Sequence, residues 1–194
     1  MLLNKKERGI FILLVLFLIF SNFFLFDYLY QRYTIKVPAR GGVLKEGVVG
    51  QPHLINPIYS SANDADQDLV ELTFNGLLKF NLNNEIIPDL AESYKVENNG
   101  RVYEVTLKKN ILWQDKQPIT IEDVIYTIKV IQDPSYKSPL RLKWTGVEIQ
   151  KENERTIKFI LEKPFPSFLE TLATTKIIPK HVWQNIPSEN FPLV

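Results

Sequence analysis

Cysteine is absent from the 194-residue chain. That excludes a disulfide framework, thiolate zinc sites and a cysteine nucleophile. It also excludes a lipoprotein signal, whose lipid is carried on a cysteine. Histidine is nearly absent too. His53 and His181 lie far apart, and neither sits in an H-E-x-x-H spacing, so each is expected to be structural or superficial. An excess of one charge is also lacking: 23 Lys and Arg stand against 22 Asp and Glu, for a net charge of +1. Six cations (Lys5, Lys6, Arg8, Arg32, Lys36 and Arg40) face only Glu7 and Asp27 in the first 40 residues, which leaves the remainder mildly acidic. No basic stripe is available to neutralise phosphates, so nucleic acid is not an expected partner.

Catalytic signatures are missing as well. There is no G-x-S-x-G, P-loop or G-x-G-x-x-G. Asp64, Asp66 and Asp68 alternate like the start of a calcium loop, but Leu69 and Asn75 stand where that loop needs Gly and Glu. Asp115 and the pair Glu122-Asp123 suggest paired carboxylates only superficially. Acids in the first turn of a helix are explained by its dipole. No enzyme chemistry, metal site or cofactor is expected.

What the chain does have is one long apolar run. Gly9 to Phe26 carries no charged side chain. At about 1.5 Å per residue this spans ~27 Å, enough for a bilayer core. Tyr28, Leu29 and Tyr30 follow Asp27 and supply an interfacial aromatic belt. The run is longer than a signal-peptide core, and nothing small follows it to form a cleavage site. Residues 1–30 are therefore expected to be an uncleaved anchor. A cleaved signal and a buried core helix are the alternatives. Cations lie on both sides of the run, so the positive-inside count hardly decides orientation. A short N-terminal tail favours residues 31–194 outside the cytoplasm, with the reverse topology as the alternative.

Residues 31–40 are expected to be a linker, polar and basic and broken by Pro38, with Gly41-Gly42 following. After it, short strands and helices alternate. Residues 43–49 suggest a strand. Residues 64–78 suggest a helix capped by Asn63 or Asp64, and Leu77 to Phe80 is extended. Residues 81–85 form a polar turn. Residues 94–96 and 102–107 flank Asn98-Asn99-Gly100, a hairpin signal, with Tyr103, Val105 and Leu107 on one face. Thr120 is an N-cap with Asp123 at the capping-box position. Ile121, Val124, Ile125, Ile128 and Ile131 then follow at helical spacing, and Asp133-Pro134 ends the helix. Residues 147–150 and 155–161 form a second hairpin, with Ile157, Phe159 and Leu161 on one face. Pro164 and Pro166 open a short helix through Phe168, Leu169 and Leu172. The mixture is α/β or α+β, with strands paired locally.

Seven stretches, in order across residues 41–183, carry a resemblance. They are Gly41-Gly42-x-Leu44, Leu54-Ile55-Asn56-Pro57-Ile58-Tyr59-Ser60-Ser61, Asn75-Gly76-Leu77-Leu78-Lys79-Phe80 and Ile87-Pro88-Asp89-Leu90-Ala91-Glu92-Ser93-Tyr94. The others are Leu107-Lys108-Lys109-Asn110-Ile111-Leu112-Trp113-Gln114-Asp115, Pro118-Ile119-Thr120-Ile121-Glu122-Asp123-Val124 and Ile178-Pro179-Lys180-His181-Val182-Trp183. Together they resemble the family-5 extracellular solute-binding proteins, which serve ATP-driven importers of peptides, nickel complexes and related solutes. Most of these signature residues are expected to serve folding. Asn110 and Lys116 stand where the family usually has Gly. Asn tolerates a left-handed backbone, whereas Lys116 costs ~1 kcal/mol if its turn needs positive φ.

After the transmembrane helix read from the apolar run, the resemblance implies part of a two-lobed, type II periplasmic-binding-protein-like fold. Residues 41–194 then form a truncated solute-binding domain, with a small subdomain at about 70–160 on a partial first lobe. It further implies ligand contact by the backbone of Ser60, Ser61, Ala62 and Asn63, since extended pairing gives sequence-tolerant affinity. Leu140 falls where relatives place an aromatic against the ligand. In relatives the second lobe supplies most ligand contacts. The implied function is capture of peptides or similar small solutes outside the cytoplasmic membrane. The partner implied by the resemblance is the set of ABC-importer permease subunits; the apolar run adds the lipid bilayer, through residues 9–30. The alternative is a truncated, membrane-anchored interaction module that binds no solute.

Overall fold

A computed structural model describes residues 4–34, 41–43, 45–59 and 63–193. The chain divides into two compact units, Met1–Gly47 and Val48–Val194. In the first, helix α1 runs from Lys5 to Tyr33 without a break. It is long and apolar enough to cross a membrane, with a mean hydropathy of 2.7, and its apolar side chains from Ile10 to Tyr33 are exposed. Arg32 donates to the Tyr28 hydroxyl at 2.6 Å near its C-terminal end, where a cation suits the helix dipole. Part of the expected linker and Leu44 lie outside the described residues. The strand expected at 43–49 is not formed: residues 45–48 carry no regular structure. Glycines at 47 and 50, the latter at φ +128°, break the run, and among the described residues no strand lies beside it to pair.

The second unit begins with helix α2, Asp64–Thr73. Asn63 caps it, its side-chain oxygen accepting from the Ala65 N–H at 3.2 Å. Asp64 and Asp66 lie in the first turn, at the positive end of the dipole. The helix stops at Thr73, well before the expected Leu78, because the next residues are needed elsewhere. Phe74 turns extended. The Asn75 carbonyl accepts from Ile177 N–H at 3.0 Å, and Gly76 bridges to Lys176. Leu78–Phe80 (β1) then pairs with Ile86–Pro88 (β2) across the polar turn, antiparallel.

A four-stranded antiparallel sheet of order β3-β4-β6-β5 forms the body of the unit. Its strands are Ala91–Glu97 (β3), Val102–Leu107 (β4), Val147–Lys151 (β5) and Thr156–Leu161 (β6). Asn98, Asn99 and Gly100 turn between β3 and β4 at φ 50°, 54° and 80°. Asn and Gly occupy these left-handed positions at least cost. The link that makes one sheet of two hairpins is β4 against β6, from Val102↔Ile160 to Thr106↔Thr156. It was not expected from local pairing.

Alternation along β4 buries Tyr103, Val105 and Leu107, and along β6 Ile157, Phe159 and Leu161. Helix α3, Ile121–Gln132, contributes Ile121, Val124, Ile128 and Ile131 to the same core, each at most 1% exposed; Ile125 is only half-buried. Asp123 anchors its start. One carboxylate oxygen accepts from Thr120 N–H at 2.8 Å and from the Thr120 hydroxyl at 3.0 Å. The other accepts from Lys180 N–H at 2.8 Å, which ties α3 to the short helix Lys180–Trp183 (α6). Helices Arg141–Trp144 (α4) and Phe168–Thr174 (α5) complete the core. Trp144 meets Phe159 and Phe168 edge-on at 5.6 and 5.4 Å. Its indole donates to the Thr175 hydroxyl at 3.1 Å. Fully burying an aromatic of this size stabilises by about 2–3 kcal/mol. The turn at Lys116 does need positive φ: Lys116 sits at 69° and Asn110 at 55°.

Candidate functional site

The segment Asn56–Tyr59 is held from both sides by side chains distant in sequence. Asn56 is fully buried. Its amide donates to the Phe191 carbonyl at 2.7 Å, and its side-chain oxygen accepts from Ile58 N–H at 3.0 Å. The Ile58 carbonyl accepts from the Ser138 hydroxyl at 3.0 Å. The same hydroxyl accepts from Leu140 N–H at 3.2 Å. Tyr59 donates its hydroxyl to the Tyr136 carbonyl. Burial, and secondarily the neighbouring Tyr136, pushes the Tyr59 hydroxyl above its ordinary pKa, so it stays a proton donor.

Ser138 therefore brings the Asn-Pro segment and Leu140 to one place. Between them opens a cleft of about 240 Å³, walled by Pro57, Ile58, Gln67, Val70, Leu140 and Thr174, with Lys143, Lys176 and Glu71 as its charges. The Lys176 ammonium is 6% exposed and pairs with Glu71 at 2.6 Å; Glu71 itself is largely exposed. A buried cation persists only when paired. Among the described residues the cleft thus offers apolar walls, the Lys176–Glu71 ion pair and Lys143, for which no ion-pair partner is described.

Of the residues expected at the site, Leu140 lines this cleft half-buried. Asn63 does not line it. Its side chain caps α2 and donates to the Gln51 carbonyl at 3.2 Å. Ser60, Ser61 and Ala62 lie outside the described residues. Sequence reasoning missed Glu71 and Lys176. The available signal was a lone cation, Lys176, just before the apolar pair Ile177-Ile178.

A second cleft of about 320 Å³ lies between Phe74, Leu112, Trp113, Ile119, Val182 and Trp183. His181 and Asp115 close its rim at 2.7 Å. The Gln117 N–H and then His181 hold the Asp115 carboxyl below the ordinary carboxylate range. His53 meets α2 through its backbone, donating to Asp66 at 2.8 Å.

The second unit is thus an antiparallel sheet backed by helices, with a partly apolar cleft that holds an ion pair. Comparison with known proteins places it. The model of the bacterial extracellular solute-binding proteins, family 5 (middle region), matches residues 85–192, and the chain belongs to that family. It is 30% identical over 152 residues to the oligopeptide-binding protein AppA of Bacillus subtilis, covering 77% of this chain and 28% of that protein. The structure of AppA from Bacillus subtilis in complex with a nonapeptide is similar at a TM-score of 0.71. That match is 28% identical and covers 76% of this chain and 29% of that one. NikZ from Campylobacter jejuni, in complex with Ni(L-His), is similar at a TM-score of 0.67. It is 30% identical and covers 74% of this chain and 29% of that one. The chain thus spans under a third of the length of these relatives. The relatives are solute-binding proteins, not enzymes, and the fold is the mixed α/β fold of binding-protein neighbours.

Proposed function

We propose that this chain is the membrane-anchored, N-terminal part of a solute receptor that delivers peptides or similar small solutes to an ABC importer. The observation that carries the reading is the convergence of Pro57, Ile58 and Leu140 on one cleft. These residues come from two segments singled out by family resemblance and lie far apart in the chain. Residues 41–194 are then a partial first lobe of a two-lobed, type II fold, with the small subdomain at about 70–160. A second lobe closes over the cleft by hinge motion. Relatives named for oligopeptides, or solved with a nonapeptide or a nickel–histidine complex, support a small polar solute with a peptide-like backbone. Residues 60–62 follow the cleft-lining Pro57 and Ile58 closely in sequence and are offered as backbone contacts to the solute; Asn63, engaged in capping α2, is not. α1 is the anchor, a single pass that leaves the binding domain outside the cytoplasmic membrane, where permease subunits receive the solute.

Leu140→Arg, introduced into the gene in the source bacterium, tests this. Leu140 is only half-buried, so the protein is expected to accumulate normally by immunoblot. Uptake of radiolabelled tri- to pentapeptides is expected to fall at least about tenfold, since a charge placed on an apolar wall costs more than 1.4 kcal/mol. Unchanged uptake at normal protein level sinks the assignment of the cleft.

A further inference from the structure

α1 carries one amide inside its apolar run. Between Gly9 and Phe26 only Ser21 and Asn22 are strongly polar. The Asn22 amide donates to the Leu18 carbonyl of its own helix at 2.9 Å. Its second N–H and its side-chain oxygen have no partner among the described residues. In hydrocarbon such groups find no water, so they seek another helix. Counting from Asn22 in alternating steps of three and four gives Phe11, Val15, Leu18, Leu25 and Leu29. These lie on one face of the helix, within about 60° of Asn22 at ~100° per residue. They repeat every 3.5 residues, as the buried seam of a coiled coil does. The opposite face carries Phe17, Phe20 and Phe24, with the Phe20 and Phe24 rings in contact at 4.7 Å. That face is bulky and suits lipid.

We propose that α1 pairs in the bilayer with α1 of a second copy of this chain, along this seam, with Asn22 meeting Asn22. The inference rests on the proposed reading of α1 as a membrane span. Two copies inserted the same way hold residue 22 at the same depth, and an amide is both donor and acceptor, so it complements itself. A single polar residue in an apolar seam also selects register, because any slip leaves both amides unpaired. Ser21 flanks the layer with a small side chain, leaving room for the helices to approach.

The test uses the full chain in phosphatidylcholine/phosphatidylglycerol vesicles. The chain lacks cysteine, so Asn4→Cys provides a unique site for donor and acceptor dyes. Energy transfer that rises linearly with acceptor fraction, and falls on lipid dilution, is expected of a dimer. Asn22→Leu keeps the helix apolar and is expected to weaken pairing about tenfold. Asn22→Gln is expected to retain most of it, and Phe20→Leu on the other face to change nothing. Vesicle flotation separates the two readings. Protein that floats without energy transfer, or whose transfer Asn22→Leu leaves intact, overturns the pairing alone. Protein that does not float overturns the membrane span and the pairing with it.

Discussion

Gly76 sits where β1 meets the end of α5, and replacing it with alanine sets two physical effects of opposite sign against each other. Fewer unfolded conformations favour alanine by about 0.4–1 kcal/mol. Packing opposes it. A Cβ at this position would lie 2.8 Å from the Leu78 carbonyl oxygen, 2.9 Å from that of Ala173 and 3.1 Å from that of Thr175. Ordinary contact begins at 3.4 Å, and all three obstacles are backbone atoms. None can rotate away. The Gly76 carbonyl also accepts from Leu90 N–H at 3.1 Å, which limits movement of the glycine itself. Overpacking of this kind costs about 1–3 kcal/mol, more where backbone must shift. The net expectation for Gly76→Ala is about 2 kcal/mol of destabilisation. For a unit of this size that lowers Tm by roughly 6–8 °C. The three tryptophans, Trp113, Trp144 and Trp183, all lie in the second unit. Their fluorescence during thermal unfolding in detergent therefore reports that unit and not α1. If Gly76→Ala equals or exceeds the parent in Tm, the entropy effect dominates and the close-packing argument is wrong.

Lys116→Gly relieves a left-handed lysine at φ 69° and is expected to raise stability by about 0.5–1 kcal/mol, read as a higher urea midpoint; a lower midpoint would show that the turn is not strained. Phe159→Ala removes a fully buried ring from the Trp144–Phe168 cluster, with an expected loss of about 3–5 kcal/mol in urea unfolding; a loss below about 1 kcal/mol would mean that the cluster repacks. Acid should destabilise the unit. Burial raises the Asp66 pKa, but N–H donors from His53 and Leu54 and the Asn63 side chain outweigh it and hold the group low. Asp133 is held low chiefly by the Ser135 hydroxyl and N–H. Groups depressed in the folded state contribute fully above their unfolded pKa of ~3.9 and lose that contribution as pH falls through the folded value. The urea midpoint is therefore expected to drop below about pH 4, and less steeply in Asp66→Asn; identical acid profiles would remove Asp66 from the account.

Much of the fold follows from short-range pattern. Asn98-Asn99-Gly100 can turn left-handed, so the β3–β4 hairpin is legible in the sequence. Thr120 and Asp123 set the start of α3 because cap and acceptor lie three residues apart. The isoleucine spacing names the face of α3 that is buried. α1 is equally local: eighteen residues without charge make their own helix, whatever surrounds them. The family likeness, too, was carried by motifs spread along the chain.

Contacts between distant segments were not legible. α2 could not be seen to stop at Thr73, because what ends it is the demand of Ile177 and Lys176 on Asn75 and Gly76, about a hundred residues away. The expected strand near residue 45 had suitable residues but no partner, and a strand exists only through its neighbour. The pairing of β4 with β6 joins two hairpins that composition alone leaves independent. The cleft is of the same kind. Leu140 was expected at it from resemblance, but Glu71 and Lys176 become a pair only when α2 and the segment after α5 are packed together. Sequence by itself determined the long apolar helix, the turns, the caps and the buried faces, since each depends on residues within a few positions. Tertiary structure alone decided where α2 ends, which strands share a sheet and which charges face the cleft, because those depend on groups that folding brings together.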